Sequence, residues 1–188
     1  LGIIKNKIIK KTNLTSLDII SLHNELQLIK KKKIENVIIE ASSHGLHQGR
    51  LGGLNIKAGI FSNFSQDHLD YHKTMKKYFE AKMILFKELL DKNGFIITYE
   101  NLKEFSKIKS IANRKKIKIL KFSQLNILQN ENLKNIKGSF QKKNLSMSIL
   151  AANLCGVSNK KIKPIIKKIK NVNGRMELVR VLPNKSKV

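Results

Sequence analysis

The chain has 188 residues, enough for one well-buried domain or for one domain and part of another. No run approaches the ~20 apolar residues of a membrane span and no basic stretch leads into an apolar core near the N-terminus, so a cytoplasmic protein is expected. The formal charge of +25 invites a nucleic-acid reading, but just four of the 38 basic residues are Arg, the lysines are spread among Ile and Asn as in a low-GC gene, and aromatics are 6% with no Trp, which excludes a basic-aromatic stacking platform.

In chain order, a helix is predicted over residues 16–30, with Ser16 as its cap and Leu17, Ile20, Leu22, Leu26 and Ile29 as its apolar positions. A β-branched run predicts a strand over 34–40. Gly45, Gly49, Gly52 and Gly53 then punctuate a loop before a second strand over 57–62. Residues 74–90 read as one long helix, and Gly94 turns the chain into a strand at 95–98. A helix and a Lys-Ile-Lys-Ile-Leu strand fill 104–121, the pattern weakens over 122–137, and helices are predicted at 144–155 and 160–170. Cys155 cannot form an internal disulfide, and its Ala-Ala-Asn-Leu-Cys setting predicts a buried structural thiol. Strands alternating with helices favour an α/β domain with a largely parallel sheet. The start at Leu1 and the open pattern after residues 179–183 lead to the expectation of a chain truncated at both ends.

Two polar blocks follow apolar runs, Glu40-Ala-Ser-Ser-His-Gly-Leu-His-Gln-Gly-Arg50 and Ser62-Asn-Phe-Ser-Gln-Asp-His-Leu-Asp-Tyr-His72. In open α/β sheets ligands bind at the carboxyl ends of strands, so both blocks are candidate site loops. Glu40 is either a partly exposed strand-end acid or a ligand for a cation; joined to His68 it suits Mg²⁺, which takes one or two protein carboxylates alongside substrate phosphates. Ser42, Ser43, Gln48 and Arg50 supply hydroxyl, amide and guanidinium donors, or else form an ordinary polar turn. Lys82 lies on the stripe of Met75, Phe79, Phe86 and Leu89, where a lysine either snorkels outward or, desolvated, becomes a neutral amine able to react.

With Tyr78-Phe-Glu-Ala-Lys82 and Asn173-Gly-Arg-Met-Glu177 added to the two blocks, four ordered motifs resemble the Mur ligase family, the ATP-dependent amino-acid-adding enzymes of peptidoglycan precursor synthesis, and most closely its tripeptide-forming members. The resemblance implies a central domain of P-loop-NTPase-like fold over residues 1–172 and the start of a linker or C-terminal domain over 173–188. It implies ATP and Mg²⁺ as cofactors, with Glu40, His68 and a carbamylated Lys82 holding the metal. Thr15, Ser42, Gln48 and Arg50 match positions that hold a UDP-N-acetylmuramoyl-dipeptide, Asn144 the asparagine near adenine, and Arg175 the nucleotide-binding arginine. The second substrate implied is diaminopimelate or lysine, and a monomer is implied for the complete enzyme.

The chain also departs from that family. No Gly-Lys-Ser/Thr triplet occurs, Leu14 stands where a pair of threonines is usual, Thr98-Tyr99-Glu100-Asn101 replaces an Asn-x-Asp-Asp-like turn, and Gln141 replaces an Asn. Without the phosphate loop the isolated chain is expected not to catalyse ligation. Two other readings compete: a metal-dependent hydrolase with His44, His47, His68 and His72 around Zn²⁺, and a non-catalytic basic binding module.

Overall fold

A computed structural model of the chain describes residues 2–5, 8–121, 136 and 138–169. By contact density the chain divides into two compact units, Leu1–Ile96 with Asn101–Ile119, and Ile97–Glu100 with Leu120–Val188.

The first unit opens with a hairpin that the sequence reading missed, β1 (Gly2–Lys5) antiparallel to β2 (Ile8–Lys11) with Ile4 opposite Ile9. Its signal was the repeated Ile-Ile-Lys on either side of residues 6 and 7. The first helix, α1, runs Ile19–Lys31. Its cap is Asp18 rather than Ser16: the Ser21 N–H donates to Asp18 Oδ1 at 2.9 Å, a bond that also lowers the Asp18 pKa. Ser16 lies buried before the helix.

The strand expected over 34–40 is not formed. Residues 34–42 carry no regular structure and Ile38 is 93% exposed. A β-branched run becomes a strand only where a neighbour completes its hydrogen-bond ladder, and no strand among the described residues pairs with this one.

The short helix α2 (Ser43–His47) follows, then β3 (Ile56–Ile60), α3 (Leu69–His72) and α4 (Met75–Ile84). The long helix expected to 90 stops at Ile84 and continues as a π-helical turn, Leu85–Leu89, before β4 (Leu90–Thr98). Strands β3, β4 and β5 (Lys118–Lys121) pair in that order and run parallel, with α5 (Phe105–Lys115) between the last two in sequence. This confirms the α/β architecture. The core gathers Phe86, Ile96 and Ile108, each fully buried. Strand and helix approach so closely that a Cβ on Gly59 would stand 2.6 Å from the Phe86 ring. Phe61 meets the rings of Phe79 and Phe86 at 6.2 Å, which fixes α4 and its π-helical turn against the start of the loop that carries the second polar block.

In the second unit, α6 (Ser139–Leu154) and α7 (Asn159–Ile166) pack through Ile149, Ile162 and Ile166, flanked by Leu145, Ala152 and Val157. Cys155 is exposed, which corrects the buried thiol of the sequence reading: it is the C-cap of α6, and Gly156 at φ +81° turns the chain away. The motif 173–177, with Arg175, lies outside the described residues, as do 122–135. No helix among the described residues is long and apolar enough to cross a membrane.

Candidate active site

The site is built in the first unit, around a buried serine. Ser16 Oγ donates to the Glu40 carbonyl at 2.9 Å and accepts the Ser42 N–H at 3.1 Å. The Ser42 hydroxyl lies 3.0 Å away, and since Ser16 has already given its proton to Glu40, Ser42 is the donor of that pair. Ser42 Oγ in turn accepts the Gly45 N–H at 3.0 Å and so caps α2. Arg50, from the turn beyond α2, donates to the Ser16 carbonyl at 3.0 Å. Ser16 thus ties together the three stretches that carry Thr15, Glu40 and Arg50. Gly45 is what permits this closure, because a Cβ there would lie 2.7 Å from both Cβ and Oγ of Ser16.

The second block forms the opposite wall. The Asp67 carboxylate accepts the His68 N–H at 2.8 Å and holds His68 at φ +55° as the first residue of α3's turn. At the other end of α3, Lys73 sits at φ +66°, ψ −36°, with the Thr74 N–H donating to the His72 carbonyl at 2.8 Å; this is a γ-turn, a strained conformation for a residue with a Cβ. Between the two ends His72 is buried, with Nε2 3.0 Å from Ser43 Oγ and its ring stacked on Tyr78 at 5.3 Å. Burial first, then the neighbouring His44, His47 and His68, lowers the His72 pKa. Its unfolded form therefore binds more protons near and below pH 6.5, so the stability His72 contributes is present above that pH and is lost as pH falls through its lower folded value. Urea titrations of the chain between pH 5 and 7.5 should show stability falling on the acid side, and His72→Asn should flatten that slope. An unchanged slope would remove His72 from the account.

Lys82 continues this stack. Its Nζ lies 5.0 Å from the Tyr78 ring centroid, and burial lowers its pKa, while the Asp67 and Glu40 carboxylates act in the opposite direction. The amine of Lys82 is therefore desolvated with two carboxylates in its field, rather than snorkelling into open water. A cavity of about 450 Å³ is lined by His47 of α2, Tyr71 and His72 of α3, and Lys77 and Glu80 of α4.

The remaining expected residues fall as follows. Thr15 and Glu40 are exposed at the rim, Gln48 is exposed as the C-cap of α2, and Arg50 is half-buried. Asn144 belongs to the second unit, exposed on α6, its carbonyl accepting from Ser148 Oγ at 2.9 Å. The sequence reading missed Ser16, which it took for a helix cap, and gave no separate role to Asp67 or Tyr71. The signal available was the Ser-Ser-x-Gly run, whose glycine needed a near neighbour to explain it.

The four histidines of the hydrolase reading do converge, with His44 ring centroids 5.0 Å from His68 and 5.4 Å from His72. They meet as packed rings, His72 Nε2 engages Ser43, His47 Nδ1 engages the Tyr71 hydroxyl, and among the described residues no group of three His, Cys, Asp or Glu is arranged to hold a metal ion. That donor chemistry does not suit Zn²⁺. Glu40 supplies one carboxylate whose field reaches the Lys82 amine.

Comparison with known proteins identifies relatives of the chain. The description "Mur ligase middle domain" fits residues 1–167. The chain is 36% identical over 187 residues to the "UDP-N-acetylmuramoyl-L-alanyl-D-glutamate--2,6-diaminopimelate ligase" of Rickettsia bellii (strain RML369-C), covering 88% of this chain and 40% of that protein. It is 34% identical over 199 residues to the ligase of the same name from Wigglesworthia glossinidia brevipalpis, covering 92% of this chain and 40% of that protein. A solved structure titled as a ligase of this name superposes with a TM-score of 0.68 at 28% identity, over 87% of this chain and 38% of the other. The chain spans about 40% of the length of the curated relatives it matches.

Proposed function

The chain belongs to the Mur ligase family through its middle domain, and from that premise we propose that it forms the central part of an ATP-dependent ligase that adds a third amino acid to UDP-N-acetylmuramoyl-L-alanyl-D-glutamate. The amino acid would be the one in the relatives' names, 2,6-diaminopimelate. One observation carries the reading: Lys82, on the helix α4 that packs against α2, sits with its Nζ 5.0 Å from the Tyr78 ring and in the field of Glu40 and Asp67.

In this reaction the substrate carboxylate is activated by attack on the γ-phosphate of ATP, and the incoming amine displaces phosphate from the acyl phosphate. Two anions must meet, so the protein contributes positioning and charge stabilisation. Glu40, His68 and carbamylated Lys82 would hold Mg²⁺, whose positive charge would offset that of the reacting anions. A neutral amine is the form that adds CO₂, and burial of Lys82 favours that form. Thr15, Ser42, Gln48 and Arg50 would face the UDP-muramoyl substrate, with Ser42 also capping α2. Asn144 and Arg175 would contact the nucleotide.

Calorimetric titration of the chain with UDP-N-acetylmuramoyl-L-alanyl-D-glutamate tests the substrate loop. Arg50→Lys is expected to weaken binding about ten-fold, because an ammonium cannot bond the Ser16 carbonyl and a ligand anion with one planar fork. Equal affinities for the two proteins would count against Arg50 as a substrate residue.

A further inference from the structure

The helix α2 is five residues long, too short to persist by its own hydrogen bonds, so both of its ends must be fixed from outside. Its start is fixed by Ser42 and Ser16. Its end is fixed by Tyr71 of α3, whose hydroxyl lies 2.9 Å from His47 Nδ1 and 3.1 Å from Gln48 Nε2. The ring of Tyr71 also lies against His44, centroids 4.2 Å apart, and edge-on to His47 at 5.5 Å, so His44, His47 and Gln48 all meet this single residue.

The cluster has one arrangement of protons that serves all of its polar atoms. The Gln48 amide nitrogen donates to the Tyr71 oxygen, and a phenolic proton placed on His47 Nδ1 gives every one of these atoms a partner. That arrangement puts the His47 ring proton on Nε2. The amide oxygen of Gln48 and its second N–H remain for a ligand. A glutamine at the surface ordinarily samples several rotamers, and ordering it on binding costs affinity. One that is already held avoids part of that cost.

We propose that Tyr71 is a positioning residue: its hydroxyl holds Gln48, through a bond that spans the two loops, in the conformation that meets the hydroxyl and amide groups of the nucleotide-sugar peptide. The inference rests on the reading of the Ser42–Arg50 loop as the substrate site.

The test is a double-mutant cycle on the full chain, with UDP-N-acetylmuramoyl-L-alanyl-D-glutamate as the titrant and thermal unfolding measured alongside. Tyr71→Phe keeps the ring contacts and removes only the hydroxyl, so it is expected to weaken binding about five-fold, the size of one net hydrogen bond, with little change in melting temperature. In a Gln48→Ala background the same substitution should have no further effect. Without ligand, the ¹⁵N shifts of the His47 ring should report the Nε2–H tautomer in the parent chain and a mixture in Tyr71→Phe.

If Gln48→Ala weakens binding while Tyr71→Phe does not, or if the Tyr71→Phe loss persists undiminished in the Gln48→Ala background, the positioning role is wrong. If Gln48→Ala leaves affinity unchanged, or the parent chain does not bind the titrant, the substrate loop itself is misassigned and the positioning role goes with it.

Discussion

Replacing Lys82 by methionine is expected to stabilise the fold and to remove CO₂ binding in the same step. Burial of the ammonium is the leading influence on Lys82, and the opposing pull of Asp67 and Glu40 does not cancel it, since the net shift is downward. Methionine has a similar length, keeps contact with the Tyr78 ring and brings no charge to desolvate. Substitutions that relieve a residue kept for function commonly add about 0.5–2 kcal/mol, and a gain in that range is expected at neutral pH.

The pH dependence gives the sign independently. With its folded pKa below the ordinary 10.5, Lys82 binds more protons in the unfolded chain through that window, so its contribution to stability rises as pH rises toward 10.5 and is lost as pH falls through the folded value. The methionine chain should lack this rise when denaturant melts at pH 7 and pH 9.5 are compared. For the chemistry, ¹³CO₂ added to the parent chain should give a carbamate carbon resonance that is absent from Lys82→Met. A less stable methionine variant, or a carbamate signal that survives the substitution, would return Lys82 to a structural role.

Gly45→Ala is expected to cost about 2–3 kcal/mol and to cut binding of UDP-N-acetylmuramoyl-L-alanyl-D-glutamate at least ten-fold, a large effect for one methyl group. The added Cβ would stand 2.7 Å from Ser16 Cβ and Oγ and 3.0 Å from Ser42 Oγ, and while a hydroxyl can rotate, the Ser16 Cβ cannot leave without its backbone. Ser16 would have to move, and with it go its bonds to the Glu40 carbonyl and the Ser42 N–H and its carbonyl's bond from Arg50. Adding Ser16→Gly to Gly45→Ala removes the clashing atoms without restoring the hydroxyl bonds, so stability should recover in part and binding should stay weak. If Gly45→Ala melts and binds as the parent does, the Ser16 junction is not what holds the loop.

The shared cause of the errors in the sequence reading is visible at three places. The run at 34–40 has the composition of a strand, but strand formation depends on a partner outside the run. The stripe through Lys82 was counted at 3.6 residues per turn to Leu89, whereas the π-helical turn at Leu85–Leu89 changes the register beyond Ile84; Lys82 is desolvated all the same because it lies before the change. Cys155 had the pattern of a helix interior and sits at the helix end, where one residue of register separates core from solvent.

By itself the sequence determined the α/β alternation, the position of the two polar blocks and the desolvation of a lysine on a helix, since periodicity and side-chain chemistry act within a few residues of one another. The tertiary structure alone decided which of those polar groups meet. Ser16 reaches Ser42 across 26 residues and is reached by Arg50 across 34, while Gln48 reaches Tyr71 across 23. Each of these bonds depends on how two loops are folded over a common core, and no local pattern encodes a hydrogen bond between residues that only the packing of Phe86, Ile96 and Ile108 brings into register.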